Sequence, residues 1–271
     1  MVSVNLPRLV ATDLDGTLVR SDGTVSQRSH DVLSRLSAAG VTIVGITGRG
    51  PRLLELCRRD VPSAHWLVLA QGGFIYGANG RGPMTPWRST LMPGARAAEV
   101  VAHVERGVGP LTVLVENDSS HEAPLMGDVI ADWPFPVPII AAERHVAFAG
   151  DAVKAFLRSD AIPAVELLPV ARGLVPLDWC AMTEAGIGFV EVCPPGVDKG
   201  AGLSYVAQRA GVSLSDTLVF GDALNDLPMF AVAGRRVAMA AAHPQVTAAA
   251  DEVTSGNDDD GVAEYLERLF E

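Results

Sequence analysis

Asp13 and Asp15 follow the apolar run Leu9-Val10-Ala11, and Asp222, Asn225 and Asp226 follow a second such run, Leu218-Val219-Phe220. Residues two apart on extended backbone face the same side, so Asp13 and Asp15 can address one ligand. If both runs are strands of one parallel sheet, their carboxyl ends lie side by side, at the edge where open α/β sheets bind ligands. Carboxylates brought that close repel one another, and a hard divalent cation with oxygen ligands relieves the repulsion. The chemistry this set suits is magnesium-assisted work on a phosphate.

Two further segments supply what a phosphate needs. Thr47-Gly48-Arg49 follows the apolar run Val41 to Ile46 and precedes a helix, a place where a hydroxyl and backbone N–H groups cradle an anion. Lys199 opens a later helix, and a net charge of −11 makes a local cation a requirement for anion binding. Each segment alone has a plainer reading. Asp13 to Gly16 suits a strand-to-turn ending, Thr47 and the Asp222–Asp226 stretch suit helix capping, and a single lysine is usually a solvated charge. Four segments, each at a strand end or a helix start, make coincidence a poor account.

The elements that must position these groups alternate. Strands are predicted over 8–13, 41–46 and 66–70, with helices from Ser26 to Ala39 and from Pro51 to Asp60 between them. Gly77 to Gly82 reads as a hairpin turn. From about 82 to 187 prolines become frequent; a helix is expected from Pro93 to Arg106, a strand over Leu111–Glu116, a helix over Asp151–Arg158 and a strand over Val175–Trp179. The first rhythm then returns, with helix 198–210, strand 217–220, helix 225–232, strand 236–239, helix 244–249 and a closing helix from Gly261. Strand and helix in alternation are the mark of a doubly wound sheet.

The 271 residues suit one large or two medium domains. Hydrophobic residues make up 48% of the chain, yet no run reaches the roughly 18 apolar residues of a spanning helix. Met1 to Val10 lacks the basic and apolar regions of a secretory signal. Cys57, Cys180 and Cys193 are odd in number and far apart, as buried thiols in a reducing compartment would be, so a cytoplasmic location is expected. The acidic balance argues against a nucleic-acid partner, and the scattered histidines offer no zinc pair.

Asp13 to Thr17, Thr47 to Arg49, Lys199 and Gly221 to Asp226 resemble, in order, the four motifs of the haloacid dehalogenase superfamily of phosphohydrolases. Within its Cof-type branch the likeness extends through Ala238-Met239, His243-Pro244, Ala248 to Asp251 and Asn257 to Val262. Gln71-Gly72-Gly73 stands where members often carry Asn-Gly-Ala, and Ala240-Ala241-Ala242 where they often carry Gly-Asn-Ala. The resemblance implies an α/β fold: a Rossmann-like, doubly wound parallel-sheet core from 1–85 and 188–271. An α/β cap, 86–187, would be inserted after the third strand and set substrate specificity. It further implies that Asp13 is the nucleophile and Asp15 the general acid, then base. Mg²⁺ would be held by Asp13, the backbone carbonyl of Asp15 and Asp222, with Asp226 supporting its water shell. Thr47, Gly48, Asn225 and Lys199 would hold the phosphoryl oxygens. The expected activity is Mg²⁺-dependent hydrolysis of a small phosphorylated metabolite, a sugar phosphate, through an aspartyl phosphate, with no membrane or nucleic-acid partner. The alternatives are a phosphotransferase or sugar phosphomutase on the same core, and a non-catalytic phosphometabolite-binding protein.

Overall fold

Runs of four or five residues with no exposed face build the central strands, as a parallel sheet covered on both sides requires. The computed structural model describes residues 6–78, 83–117, 123–184 and 186–270. In chain order the first strands are β1 (Leu9–Thr12), β2 (Thr42–Ile46), β3 (Trp66–Leu69), β4 (Phe74–Ala78) and β5 (Met84–Ser89). Next come β6 (Thr112–Glu116), β7 (Leu125–Gly127), β8 (Ile139–Ala141), β9 (Lys154–Arg158), β10 (Ala181–Glu184) and β11 (Val190–Cys193). The last are β12 (Thr217–Gly221), β13 (Arg235–Ala238) and β14 (Glu252–Val253). The helices are α1 (Gln27–Ala38), α2 (Leu54–Asp60), α3 (Gly94–Val108), α4 (Arg144–Ala147) and α5 (Ala164–Leu174). They continue with α6 (Lys199–Ala210), α7 (Leu227–Val232), α8 (Pro244–Ala249) and α9 (Gly261–Glu267). The chain divides into two units: Met1–Thr47, Leu54–Arg88 and Asp198–Glu271 form the first, Gly48–Leu53 and Ser89–Val197 the second.

The first unit holds a sheet ordered β14-β13-β12-β1-β2-β3-β4-β5. β1 lies between β12 and β2, parallel to both, with Thr12 opposite Phe220 on one side and Gly45 on the other. Leu9, Ala11, Val44, Val68 and Val219 pack with Leu203 and Val206 of α6, Phe230 of α7 and Val246 of α8. Val10, Ile43, Leu67 and Leu218, which alternate with them in sequence, are also buried, so both faces of the sheet are covered. Each such side chain contributes about 1.5–3 kcal/mol by burial. The turn Ala70–Gly72 then reverses the chain, and β4 pairs antiparallel with β3. The insertion therefore follows a fifth strand, where a third was expected. Among the described residues no helix is long and apolar enough to cross a membrane.

The second unit holds a sheet ordered β10-β11-β9-β6-β7-β8, antiparallel except for β7 with β8. One face, with Val113, Ala155, Leu157, Val190 and Val192, packs on α3 and α5. The other carries Leu114, Phe156 and Phe189, covered by Trp133. Buried charges sit on that same face: Lys154 meets Glu191 at 2.7 Å and Arg52 meets Glu116 at 2.9 Å.

Other expectations fail as well, for identifiable reasons. The helix expected over Asp151–Arg158 is instead β9, whose residues alternate between the two faces and pair with β6 and β11. Lys154 reads as a solvated helix residue until Glu191 comes opposite its ammonium. The strand expected over Val175–Trp179 is a turn after α5, in which Trp179 donates to the Pro176 carbonyl at 3.1 Å. Proline has no N–H to give to a ladder. Residues 188–197, expected in the first unit, belong to the second, because β11 pairs with β9 and β10. Of the Gly77–Gly82 turn, residues 79–82 lie outside the described residues.

One glycine ties the turn after β3 to α6. Gly72 has φ +111°, and a methyl group there would stand 2.4 Å from the Asp198 carbonyl oxygen. Gly72→Ala should therefore cost about 2 kcal/mol or more, combining left-handed strain with overpacking. The urea midpoint should fall with the m-value unchanged; an unshifted midpoint would show the turn yields freely.

Candidate active site

The parallel register delivers what the sequence led one to expect. β1 and β12 end side by side, and Asp13 leaves β1 with its N–H donating to the Phe220 carbonyl at 3.0 Å. Asp222 follows β12 directly, and Asn225 and Asp226 lie in the short 3-10 turn Leu224–Asp226 before α7. One carboxylate oxygen from each of Asp13, Asp222 and Asp226 can be chosen so that all lie within 4.8 Å of one another.

Lys199 is the first residue of α6, fully buried. Its place is fixed because Asp198 caps the helix, accepting from the Ala201 N–H at 2.7 Å. Its Nζ donates to Asp13 Oδ1 and to Asp226 Oδ1, both at 2.6 Å. The other oxygen of Asp226 accepts from the backbone N–H groups of Asp222 at 2.9 Å and Ala223 at 3.0 Å. Asp226 thus fastens the loop after β12 to the helix carrying the lysine. Gly200 and Gly221 permit this closeness: a methyl group on Gly200 would lie 2.3 Å from the Pro228 carbonyl oxygen, and on Gly221 2.6 Å from Asp226 Cγ.

Fully ionised, the three carboxylates would carry two more negative charges than the one ammonium balances. Burial, with Asp226 adding, pushes the Asp222 carboxyl up to about 6. Burial also raises Asp13, against the opposing pull of Lys199 and with Asp226 and Asp222 contributing in the same direction. Lys199 is held above the ordinary lysine range: burial works against its charge, and Asp13 and Asp226 more than offset that. This is a largely buried, anionic cluster of hard oxygen donors with a cation built into it.

The remaining expected residues take distinct places. Asp15 is half-buried in the turn after β1, bridging to Val19, and its carboxylate lies outside the group of three. Thr47 is fully buried at the end of β2, its N–H donating to the Val68 carbonyl at 2.8 Å. Asn225 donates from Nδ2 to Gln71 Oε1 at 3.3 Å, while its buried Oδ1 has no hydrogen-bond partner among the described residues. Gly48 follows Thr47 but groups with the second unit, where its carbonyl accepts from Lys154 Nζ at 2.5 Å. Two contributors are named in the sequence analysis but given no role there. Thr17 donates its hydroxyl to Asp222 Oδ1 at 2.7 Å, and Gln71 meets Asn225. Thr17 lies in the first motif stretch, but nothing in its spacing reveals a partner 205 residues away.

Lys199→Met leaves Asp13 and Asp226 buried without their counter-ion, which should cost about 3–5 kcal/mol. The loss should depend on pH. Raised native-state pKa values mean that the folded protein binds more protons than the unfolded chain, so stability is gained as pH falls and lost as pH rises. Denaturant titrations should show a larger deficit at pH 8 than at pH 5.5; a small, pH-independent deficit would contradict this reading of the pocket.

The family of haloacid dehalogenase-like hydrolases matches this chain over residues 10–84 and 172–266. The HMP-PP phosphatase of Cronobacter sakazakii is 29% identical over 254 residues, covering 90% of this chain and 88% of that protein. The 5-amino-6-(5-phospho-D-ribitylamino)uracil phosphatase YcsE of Bacillus subtilis is 27% identical over 261 residues, covering 96% and 94%. Among solved structures, the HAD subclass IIB sugar phosphatase BT4131 has the same fold, with a TM-score of 0.78 at 21% identity over 97% of this chain and 99% of that one. With the acidic pocket assembled from the matched segments, the chain belongs to the haloacid dehalogenase superfamily, in its Cof-type branch, and is a phosphatase.

Proposed function

We propose that the protein hydrolyses a small phosphomonoester, a sugar phosphate, with Mg²⁺ bound and through an aspartyl phosphate on Asp13. The observation that carries this reading is Asp13 itself: a buried carboxylate at a strand end, hydrogen-bonded to a buried lysine and grouped with Asp222 and Asp226. An Asp13 oxygen would attack phosphorus as the bond to the leaving oxygen breaks, and Asp15 would give that oxygen its proton. Asp15, now a carboxylate, would take a proton from water as the water oxygen attacks phosphorus. The second step frees Asp13 and inorganic phosphate. Thr47, Gly48, Asn225 and Lys199 would hold the phosphoryl oxygens.

The donor set fits Mg²⁺: three carboxylates without sulfur or imidazole, carrying charge that one lysine does not balance. Asp13, the Asp15 carbonyl and Asp222 would ligate it, with Asp226 supporting its water shell. When bound, the ion offsets the repulsion between Asp13 and a phosphate dianion. We read the second unit, Gly48–Leu53 and Ser89–Val197, as the part that selects the substrate, the role expected from the sequence for residues 86–187. A small phosphorylated metabolite is supported by the relatives, and within that class the phosphorylated ribityl group of the Bacillus subtilis relative's substrate favours a sugar phosphate. The burial of all three cysteines supports a cytoplasmic setting.

Phosphate release in the absence of an acceptor is the direct test of hydrolysis against transfer. It should require Mg²⁺, vanish with a chelator and recover poorly with Ca²⁺, whose looser coordination misaligns nucleophile and phosphorus. Full activity in metal-free protein would contradict the metal assignment.

Asp15→Asn keeps the side-chain shape but can neither give nor take the proton. Turnover of alkyl phosphates should fall about 10²–10⁴-fold, with Mg²⁺ binding retained in calorimetry. Steady-state rates near those of the unmodified enzyme would remove Asp15 from the mechanism.

A further inference from the structure

Three consecutive residues after β3 hold positive φ: Ala70 at 48°, Gln71 at 59° and Gly72 at 111°. Glycine adopts such backbone freely, whereas alanine and glutamine do so at a free-energy cost that persists only where the surroundings impose it. Gln71 is 1% exposed. Its N–H donates to the Thr47 carbonyl at 3.1 Å, and its Oε1 accepts from Asn225 Nδ2 at 3.3 Å. From this strained position it touches two of the residues assigned above to the phosphoryl oxygens.

The chemistry of Asn225 gives that contact a purpose. An asparagine amide has a donor end and an acceptor end, and only the donor end suits a phosphoryl oxygen. Turned over, Asn225 would set its Oδ1 against Gln71 Oε1, acceptor against acceptor. In the observed orientation one Nδ2 hydrogen goes to Gln71, which leaves the second for a ligand. Among the described residues Asn225 Oδ1 has no hydrogen-bond partner although it is buried, so no contact at that end decides which way the amide faces.

We propose that Gln71 is a positioning residue for phosphoryl recognition: its side-chain carbonyl fixes the orientation of the Asn225 amide, so that a donor faces the phosphate. This rests on the phosphoryl role given to Asn225 in the proposed function. Gln71 acts through Asn225 and has no reacting atom of its own.

Gln71→Gly provides a clean test, because glycine relieves the left-handed strain while deleting the amide. Calorimetric titration with inorganic phosphate, at saturating Mg²⁺, would be made on the unmodified protein, Gln71→Gly, Asn225→Ala and the double variant. KM and kcat for an aryl phosphate would be measured alongside. Gln71→Gly should match or exceed the unmodified protein in Tm, bind phosphate at least about tenfold more weakly, and lose more in KM than in kcat. The double variant should bind no more weakly than Asn225→Ala alone, since one residue works through the other. Phosphate affinity unchanged in Gln71→Gly, or losses that simply add, would overturn the proposal while leaving the role of Asn225 intact. Affinity unchanged in Asn225→Ala would instead refute the phosphoryl reading, and the positioning role with it. Gln71→Met, equal in length and lacking the amide, gives the same decision should the glycine variant not fold.

Discussion

The contact on which the rest of the site depends is the double hydrogen bond from Lys199 to Asp13 and Asp226, 2.6 Å to each, with lysine and Asp226 wholly buried. Taking such ions out of water is costly, and the cost is recovered only with short, well-directed partners. The surrounding architecture provides them. Parallel pairing brings the ends of β1 and β12 together, Asp198 caps the helix that begins at Lys199, and two backbone N–H groups satisfy the second oxygen of Asp226.

That arrangement also sets the chemistry. A buried pocket weakens dielectric screening, so the charges left by three carboxylates against one lysine act strongly on whatever enters. Donors and charges held in place before substrate arrives need no reorganisation as the reaction proceeds, which is how such sites lower barriers. Strain in the Ala70–Gly72 turn belongs to the same account, because it lies against Thr47 and Asn225 rather than at the surface.

Much of the first unit was legible in the sequence because its signals are local. A short apolar run followed at once by acidic residues marks a strand ending at a sheet edge, and Asp13 and Asp222 stand where that pattern put them. Lys199 was legible only as part of the set, since a single lysine looks like a surface charge until Asp13 and Asp226 are seen around it. The Thr17–Asp222 and Gln71–Asn225 contacts were hidden because each joins residues more than 150 positions apart. In the second unit the patterns misled. β9 mixes Lys, Ala and Leu, which suit a helix, and only its pairing with β6 and β11 makes it a strand.

Asp13 as the atom that takes the phosphoryl group is the claim on which the functional account turns, and trapping that group tests it most directly. Asp15→Asn protein with Mg²⁺ would be mixed with an aryl phosphate, quenched in acid within the first turnover and digested for peptide mass mapping. The account predicts a phosphoryl group on the peptide containing Asp13, and on Asp13 within it. Phosphoryl transfer to another residue, or leaving-group release in a burst with Asp13 unmodified, would contradict it.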